Sequence, residues 1–192
     1  TGTDPLDGSL MGKNYKLEQY NNSGALVSRS YTDWQSASLG NDRYFAYALK
    51  TVSDENGKQT AKEFSYDVSN GNLLNQIDYG KVSASGNNFS DVGLDKQTVN
   101  YAYTILGIVL PVSVETFNQS GERINHQKIY YDNQSFGSVT KGNSTKVESW
   151  IAGSSYFNTQ KTYTPEGLVA TETDANGNIT SYSYDANKLY PA

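Results

Sequence analysis

Thr173-Asp174-Ala175-Asn176-Gly177-Asn178-Ile179-Thr180-Ser181-Tyr182-Ser183-Tyr184-Asp185-Ala186-Asn187 decides the fold class of this chain. Two turn signals flank a short alternating segment, Ile179 to Tyr184. As a strand it places Ile179, Ser181 and Ser183 on one face and Thr180, Tyr182 and Tyr184 on the other, because side chains alternate. Asn176-Gly177 is a hairpin dipeptide, since both residue types accept positive φ. Tyr184-Asp185 starts the next turn, where Asp bonds its own backbone two residues on. The unit is strand, tight polar turn, strand.

Copies of it run back through the chain. Phe64-Ser65-Tyr66-Asp67-Val68-Ser69-Asn70-Gly71-Asn72-Leu73-Leu74 is one, and Tyr131-Asp132, with Gly137 and Val139 beyond it, is a looser one. The turn half recurs alone at Asn21 to Leu26, Asp54 to Lys58, Asn118 to Ile124 and Thr164 to Val169. A glycine at a fixed offset inside a polar loop marks a left-handed backbone position. Such recurrence is the mark of an arrayed architecture. The period is irregular, and an ordinary antiparallel β domain with many hairpins reads the same way, so the pattern alone leaves both open.

The 192 residues suffice for one domain or two small ones. Hydrophobic residues make up 36%, low for a thick core, and 16 Tyr stand against 6 Phe and 2 Trp. Tyrosine suits half-buried sheet faces better than a dry interior, which favours a broad sheet over a sandwich without excluding the latter. The net charge of −5, with no Lys/Arg cluster, argues against nucleic acid as a partner. Without cysteine there is no disulfide framework and no thiolate chemistry. The chain opens on Thr1 without a secretory signal and reads as a piece cut from a longer protein.

In chain order, residues 1–9 read as a linker. Tyr15 to Tyr20 alternates as a strand into the Asn21–Gly24 turn, with a return strand from Ala25 to Tyr31. Trp34 to Asn41 reads as irregular. Strands follow at Arg43–Val52, Thr60–Tyr66 and Leu73–Tyr79, and residues 83–93 read as a loop. Lys96 to Phe117 is the most apolar part and reads as two strands around a bend at Gly107 or Pro111. Its apolar run is shorter than the roughly 20 residues a spanning helix needs, which argues against a membrane span. Ile124–Tyr131 and Val147–Phe157 read as strands, and Gln160 onward as the densest hairpin array. No segment reads as a helix.

Candidate chemistry is sparse. His126 is the single histidine, so a multi-histidine metal site is excluded, and no Gly-x-Ser-x-Gly elbow supports a Ser-His pair. Asp54, Glu55, Asp67, Asp78, Asp91, Asp95, Asp132, Asp174 and Asp185 sit mostly in turns, where Asp has an ordinary backbone role. A carboxylate pair for glycoside hydrolysis is the competing reading. Asp174-Ala175-Asn176-Gly177-Asn178 has the start of a calcium loop but lacks its closing acid. Trp34 and Trp150 suit sheet packing, with sugar stacking as the alternative. The residues thus point to no catalytic group, no metal site and no cofactor.

Tyr66-Asp67 followed by Gly71-Asn72-Leu73, and the stretch from Asp174 to Asp185, resemble the Tyr-Asp repeats of the rearrangement-hotspot (RHS) family. The last copy departs from the pattern by placing Lys188 where the turn glycine belongs. Leu10-Met11-Gly12-Lys13, Glu18-Gln19-Tyr20 with its glycine turn, Tyr44-Phe45 leading into Lys50-Thr51-Val52, and Gly71-Asn72-Leu73-Leu74 leading into Tyr79-Gly80-Lys81 resemble the middle domain of the B component of insecticidal toxin complexes.

The resemblance implies an all-β fold: an antiparallel hairpin array forming an extended, curved YD-repeat sheet, part of a hollow β shell that encloses a C-terminal toxin. It implies a toxin-complex-B-like region over residues 1–95 and strands running into degenerate YD repeats over 96–192, as one continuous sheet. Tyr66, Asp67, Gly71, Tyr131, Asp132, Gly177, Tyr184 and Asp185 are then the structural repeat residues. The implied role is non-catalytic, in a large secreted or bacterial cell-surface protein. Its partners are adjacent RHS repeats of the same polypeptide and toxin-complex subunits. No stretch here matches the family's self-cleaving protease. The competing readings are a surface module binding glycans or a cell-surface partner, and a glycan-acting enzyme.

Overall fold

The computed structural model describes residues 9–104 and 108–185. Among them every regular element is a strand: β1 (Lys16–Tyr20), β2 (Leu26–Gly40), β3 (Arg43–Glu55), β4 (Lys58–Asp67), β5 (Asn72–Ser85), β6 (Asn88–Asp91), β7 (Gln97–Tyr103), β8 (Pro111–Phe117), β9 (Arg123–Tyr131), β10 (Ser144–Ala152), β11 (Ser155–Tyr163), β12 (Val169–Thr173) and β13 (Ile179–Ser181). Order along the sheet follows order along the chain, except that β6 leaves the path and pairs with β5. The pairs β1 to β5, β5 with β7, and β9 to β13 are antiparallel. This is the hairpin array expected of an all-β chain, and short polar turns are what antiparallel neighbours permit.

The chain divides into two compact units, Thr1–Asn100 with Phe117–Glu122, and Tyr101–Thr116 with Arg123–Ala192. In the first, Val52, Ala61 and Val82 are buried, with Tyr31, Tyr79, Ala84 and Phe89 packed against them. β5 makes this cluster possible. It runs past its pairing with β4 and turns into β6, so that Val82, Ala84 and Phe89 cover Val52 of β3 and Ala61 of β4. Gln59 pins this side hairpin: its Oε1 accepts the Ala84 N–H at 2.8 Å and its amide donates to the Ala84 carbonyl at 3.3 Å. Tyr79 stacks edge-on to Phe89 at 4.8 Å and donates to Glu63 at 2.8 Å. Burial, then the Glu63 carboxylate, pushes the Tyr79 phenol up to about 12.

In the second unit Val112, Tyr131, His126, Thr104 and Thr145 are buried. No large side chain among the described residues is fully enclosed. The layers are thin, as a tyrosine-rich composition requires.

Several local readings need correction. Residues 34–41 are not irregular: β2 continues to Gly40, held by pairing with β3 across a bulge at Asp33/Trp34. The run Trp34-Gln35-Ser36-Ala37-Ser38 lacks amphipathic alternation because both faces are half-exposed, so no periodicity announces it. Its turn, Asn41-Asp42, has both residues at positive φ (52° and 56°). Residues 83–93 are not a loop but the end of β5 and all of β6. Val147–Phe157 is two strands, because Gly153, at φ 53°, turns the chain between Ala152 and Ser155. Pro111 opens β8, a position where a missing N–H is tolerated, instead of forming the bend. β13 ends at Ser181, short of Tyr184. Gly107, Lys188 and residues 1–8 lie outside the described residues.

Replacing Gln59 with Leu leaves the Ala84 N–H without its acceptor. We expect a loss of about 1–3 kcal/mol in urea unfolding. An unchanged midpoint would mean that the β5–β6 hairpin holds without Gln59.

Candidate functional site

The chain's recurring chemistry is in its turns, and the structure shows why the same residue types return. Asn21, Asn118, Thr164 and Asp174 each open a loop whose glycine, three residues on, donates to the opening residue's carbonyl at 3.0–3.1 Å. The opening residue's N–H then donates to the carbonyl of the residue after the glycine, at 2.7–3.0 Å. The opening side chain captures further N–H groups. Asn21 Oδ1 takes those of Ser23 and Ala25, Asn118 Oδ1 those of Ser120 and Glu122, and Asp174 Oδ1 those of Asn176 and Asn178, all at 2.8–3.0 Å. Thr164 Oγ1 reaches only the Leu168 N–H, at 3.3 Å.

The glycines lie at φ 79–88°, while Asn176 does not enter positive φ. Asn176-Gly177 is therefore not a two-residue primed turn, as its composition suggests, but the end of a longer loop closed by a left-handed glycine. Two successive residues at positive φ occur instead at Asn56-Gly57 (52° and 82°), as they do at Asn41-Asp42.

The Tyr-Asp pairs are placed as follows. Asp67 caps its own turn, accepting the Ser69 N–H at 3.0 Å and the Gly71 N–H on its carbonyl at 2.7 Å. Tyr66 packs with Phe45 and Tyr47 at 5.7 and 5.4 Å, and the Phe45 ring covers Gly71 so closely that an added Cβ would lie 3.2 Å from it. Asp132 lies at φ 55°. Its Oδ2 accepts the N–H groups of Thr140, Lys141 and Gly142 at 2.7–3.0 Å, and its Oδ1 that of Asn143 at 3.0 Å. Burial opposes ionisation of this carboxyl. The backbone bonds, led by Gly142, outweigh burial and hold it well below the usual carboxylate range.

Tyr131 and Tyr184 join a row that includes Tyr163, which the sequence reading passed over. The Tyr131 hydroxyl donates to the Pro111 carbonyl at 2.7 Å, Tyr163 to that of Ser144 at 2.8 Å, and Tyr184 to that of Val169 at 2.7 Å. Ser144 is in turn the backbone partner of Tyr131, and Val169 that of Tyr163. The links join end to end along one edge of β8 to β12. A bulge lies beside each of these pairs, at Ser144/Lys146 and Thr162/Tyr163, and the same feature recurs at Gln19/Tyr20 and Ser65/Tyr66. A bulge re-aims the side chain next to it, which lets the ring reach a neighbouring strand. The missed signal was an aromatic directly before the turn-opening residue: Tyr20-Asn21, Phe117-Asn118 and Tyr163-Thr164 match Tyr66-Asp67 in that respect.

His126 is buried, with Ser113 Oγ at 2.9 Å from Nε2 and the Tyr156 hydroxyl at 2.7 Å from Nδ1. Burial pushes its pKa down, against the pull of Glu115. Ser113 lies mid-strand in β8, where neighbouring N–H groups serve the ladder, whereas acyl transfer needs a converging pair of free donors. The contact is a packed polar cluster. Asp174 spends its oxygens on its own loop, and among the described residues no group of three His, Asp or Glu side chains could hold a metal. Trp150 donates to the Gly153 carbonyl at 2.9 Å and has Arg123 6.0 Å above its ring. No helix among the described residues is long and apolar enough to cross a membrane.

Tyr163→Phe keeps the ring and removes one link of the row. We expect a loss of about 0.5–1.5 kcal/mol, measured by urea unfolding. Asp132→Asn should cost about 1–3 kcal/mol at pH 7, because the four N–H groups lose their carboxylate. Asp132 has a depressed folded pKa, so its contribution is full above the unfolded value, about 3.9, and is lost as pH falls through the folded value. The stability gap between the wild type and Asp132→Asn should therefore shrink below about pH 4. A gap independent of pH would contradict this account of the loop.

The RHS Repeat family matches residues 163–188, from Tyr163 of the row onward. No curated protein sequence matches the chain. Among solved structures, TcdB2-TccC3 is similar over 92% of this chain, with a TM-score of 0.51 and 10% identity. The chain spans 15% of the length of that structure. A porin-like protein from Bacteroides uniformis is similar over 90% of this chain and 77% of its own, at 12% identity and a TM-score of 0.43. TcdB2-TccC3 without its hypervariable C-terminal region is similar over 92% of this chain and 10% of its own, at 11% identity and a TM-score of 0.33. Residues 163–188 thus match the RHS Repeat, and the antiparallel array of glycine-closed turns has a fold similar to part of TcdB2-TccC3.

Proposed function

We propose that this chain is a non-catalytic wall segment of a large secreted or cell-surface RHS-repeat protein, part of a β shell around a C-terminal toxin. The observation that carries the reading is the open strand ladder. Among the described residues β1 and β13 each have one neighbour, and their outer edges present backbone groups suited to a further strand. Adjacent repeats of the same polypeptide are the natural occupants, and toxin-complex subunits are the partners at longer range. Residues 1–95 serve as the toxin-complex-B-like region and 96–192 as the passage into YD repeats. Tyr66, Asp67, Gly71, Tyr131, Asp132, Gly177, Tyr184 and Asp185 serve as framework. Asp54, Asp67, Asp78, Asp91, Asp132 and Asp174 accept backbone N–H groups, which favours a scaffold over a glycan-acting enzyme.

Two measurements test this. The isolated chain should associate in sedimentation as concentration rises, through its strand edges, and a strictly monomeric species would count against open edges. In the longer polypeptide, deleting this segment should expose the C-terminal region to protease. Equal protection with and without the segment would overturn the wall role.

A further inference from the structure

In an asparagine-glycine pair the glycine nitrogen can attack the asparagine side-chain amide, because glycine has no Cβ to block the approach. The chain has three such pairs: Asn56-Gly57, Asn70-Gly71 and Asn176-Gly177. As dipeptides they are equal. Their surroundings separate them.

Asn70 is held at both ends of its amide. Nδ2 donates to Asp67 Oδ2 at 2.7 Å, and Oδ1 accepts the Asn72 N–H at 2.9 Å. The attacking nitrogen, that of Gly71, donates to the Asp67 carbonyl at 2.7 Å, and the Phe45 ring lies 3.2 Å from where a Gly71 Cβ would stand. The Asn56 side chain has no hydrogen-bond partner among the described residues, but the Gly57 N–H donates to the Asp54 carboxylate at 2.9 Å. A negative charge beside that nitrogen opposes loss of its proton. Asn176 has neither restraint. It is exposed, its side chain makes no hydrogen bond among the described residues, and nothing crowds Gly177. The Gly177 N–H donates to the neutral Asp174 carbonyl, at 3.1 Å.

We propose that Asn176 is a site of spontaneous deamidation, and the first of the three pairs to react in the folded protein. The Gly177 nitrogen bonds to Asn176 Cγ, the bond from Cγ to the side-chain nitrogen breaks, and that nitrogen leaves as ammonia with the Gly177 proton. Water then opens the five-membered imide at either carbonyl, leaving aspartate or isoaspartate at position 176.

Isoaspartate lengthens the main chain by a methylene inside the loop. Asp174 Oδ1 holds the Asn176 and Asn178 N–H groups at 2.9 and 2.8 Å, one on each side of that insertion. The lengthened loop cannot keep both. β13 begins at Ile179 and pairs with β12 through three residues, so the loop is what fixes its register. Conversion therefore loosens β13. This chemistry needs no partner and stands apart from the wall role.

The test incubates the full 192-residue chain in mildly alkaline buffer, folded and in guanidinium chloride, and follows conversion by tryptic mapping. The three pairs fall in separate peptides, Thr51–Lys58, Glu63–Lys81 and Thr162–Lys188, and fragment masses assign the residue. Unfolded, the three should convert at similar rates. Folded, Asn176 should convert first, at least about tenfold faster than Asn70, whose amide must first leave two hydrogen bonds. Amide exchange at Asn178 should then be faster in the converted chain than in Asn176→Asp, which adds the charge without the methylene. Conversion of Asn56 or Asn70 as fast as Asn176 in the folded chain would overturn the assignment, as would an Asn176 that reacts only when unfolded. Equal exchange at Asn178 in the converted chain and in Asn176→Asp would overturn the loosening of β13.

Discussion

One side-chain oxygen placed ahead of each turn carries much of this structure. Asn21, Asn118 and Asp174 each hold two backbone N–H groups of the loop that follows, and Asp132 holds four. A loop on a thin sheet has no core to lie against, so its N–H groups need partners of their own. An Asx oxygen supplies them locally, and a left-handed glycine lets the chain return. The loops after Asn21, Asn118 and Asp174 are thereby closed by groups within four residues of one another.

Tyrosine meets the complementary need across strands. A sheet whose faces are half-exposed cannot use phenylalanine freely, but a phenol covers apolar surface and still ends in a hydrogen bond. Tyr131, Tyr163 and Tyr184 give theirs to backbone carbonyls. Tyr79 and Tyr130 give theirs to the carboxylates of Glu63 and Glu148. Lys146 extends this economy, lying 3.7 Å over the Tyr130 ring while pairing with Glu148 at 2.8 Å. Such surface ion pairs are individually worth about 1 kcal/mol or less. Their role is to cover the rings, with the backbone ladder bearing the load.

Many of the aspartates serve the turns that they stand in. Asp54, Asp67, Asp78, Asp91, Asp132 and Asp174 all accept backbone N–H groups of nearby residues. In the first unit the β5–β6 hairpin leaves the ladder and covers Val52 and Ala61.

The sequence alone determined the strand class and the glycine-closed turns, because these rest on φ preferences and period-two alternation within short windows; the family likeness rests on the resemblance of the Tyr-Asp stretches themselves. Tyr66-Asp67 and Asp174 to Gly177 were legible for that reason. Three things were decided only by the tertiary structure. The extent of β2 past Trp34 depends on β3, since its own residues do not alternate. The tyrosine row depends on bulges, and a bulge is a mismatch between two strands that neither strand's sequence records. The buried cluster depends on Val52, Ala61 and Val82 of three different strands meeting. Local rules fix how this chain bends, but which distant side chains then share a space is set by pairing and register.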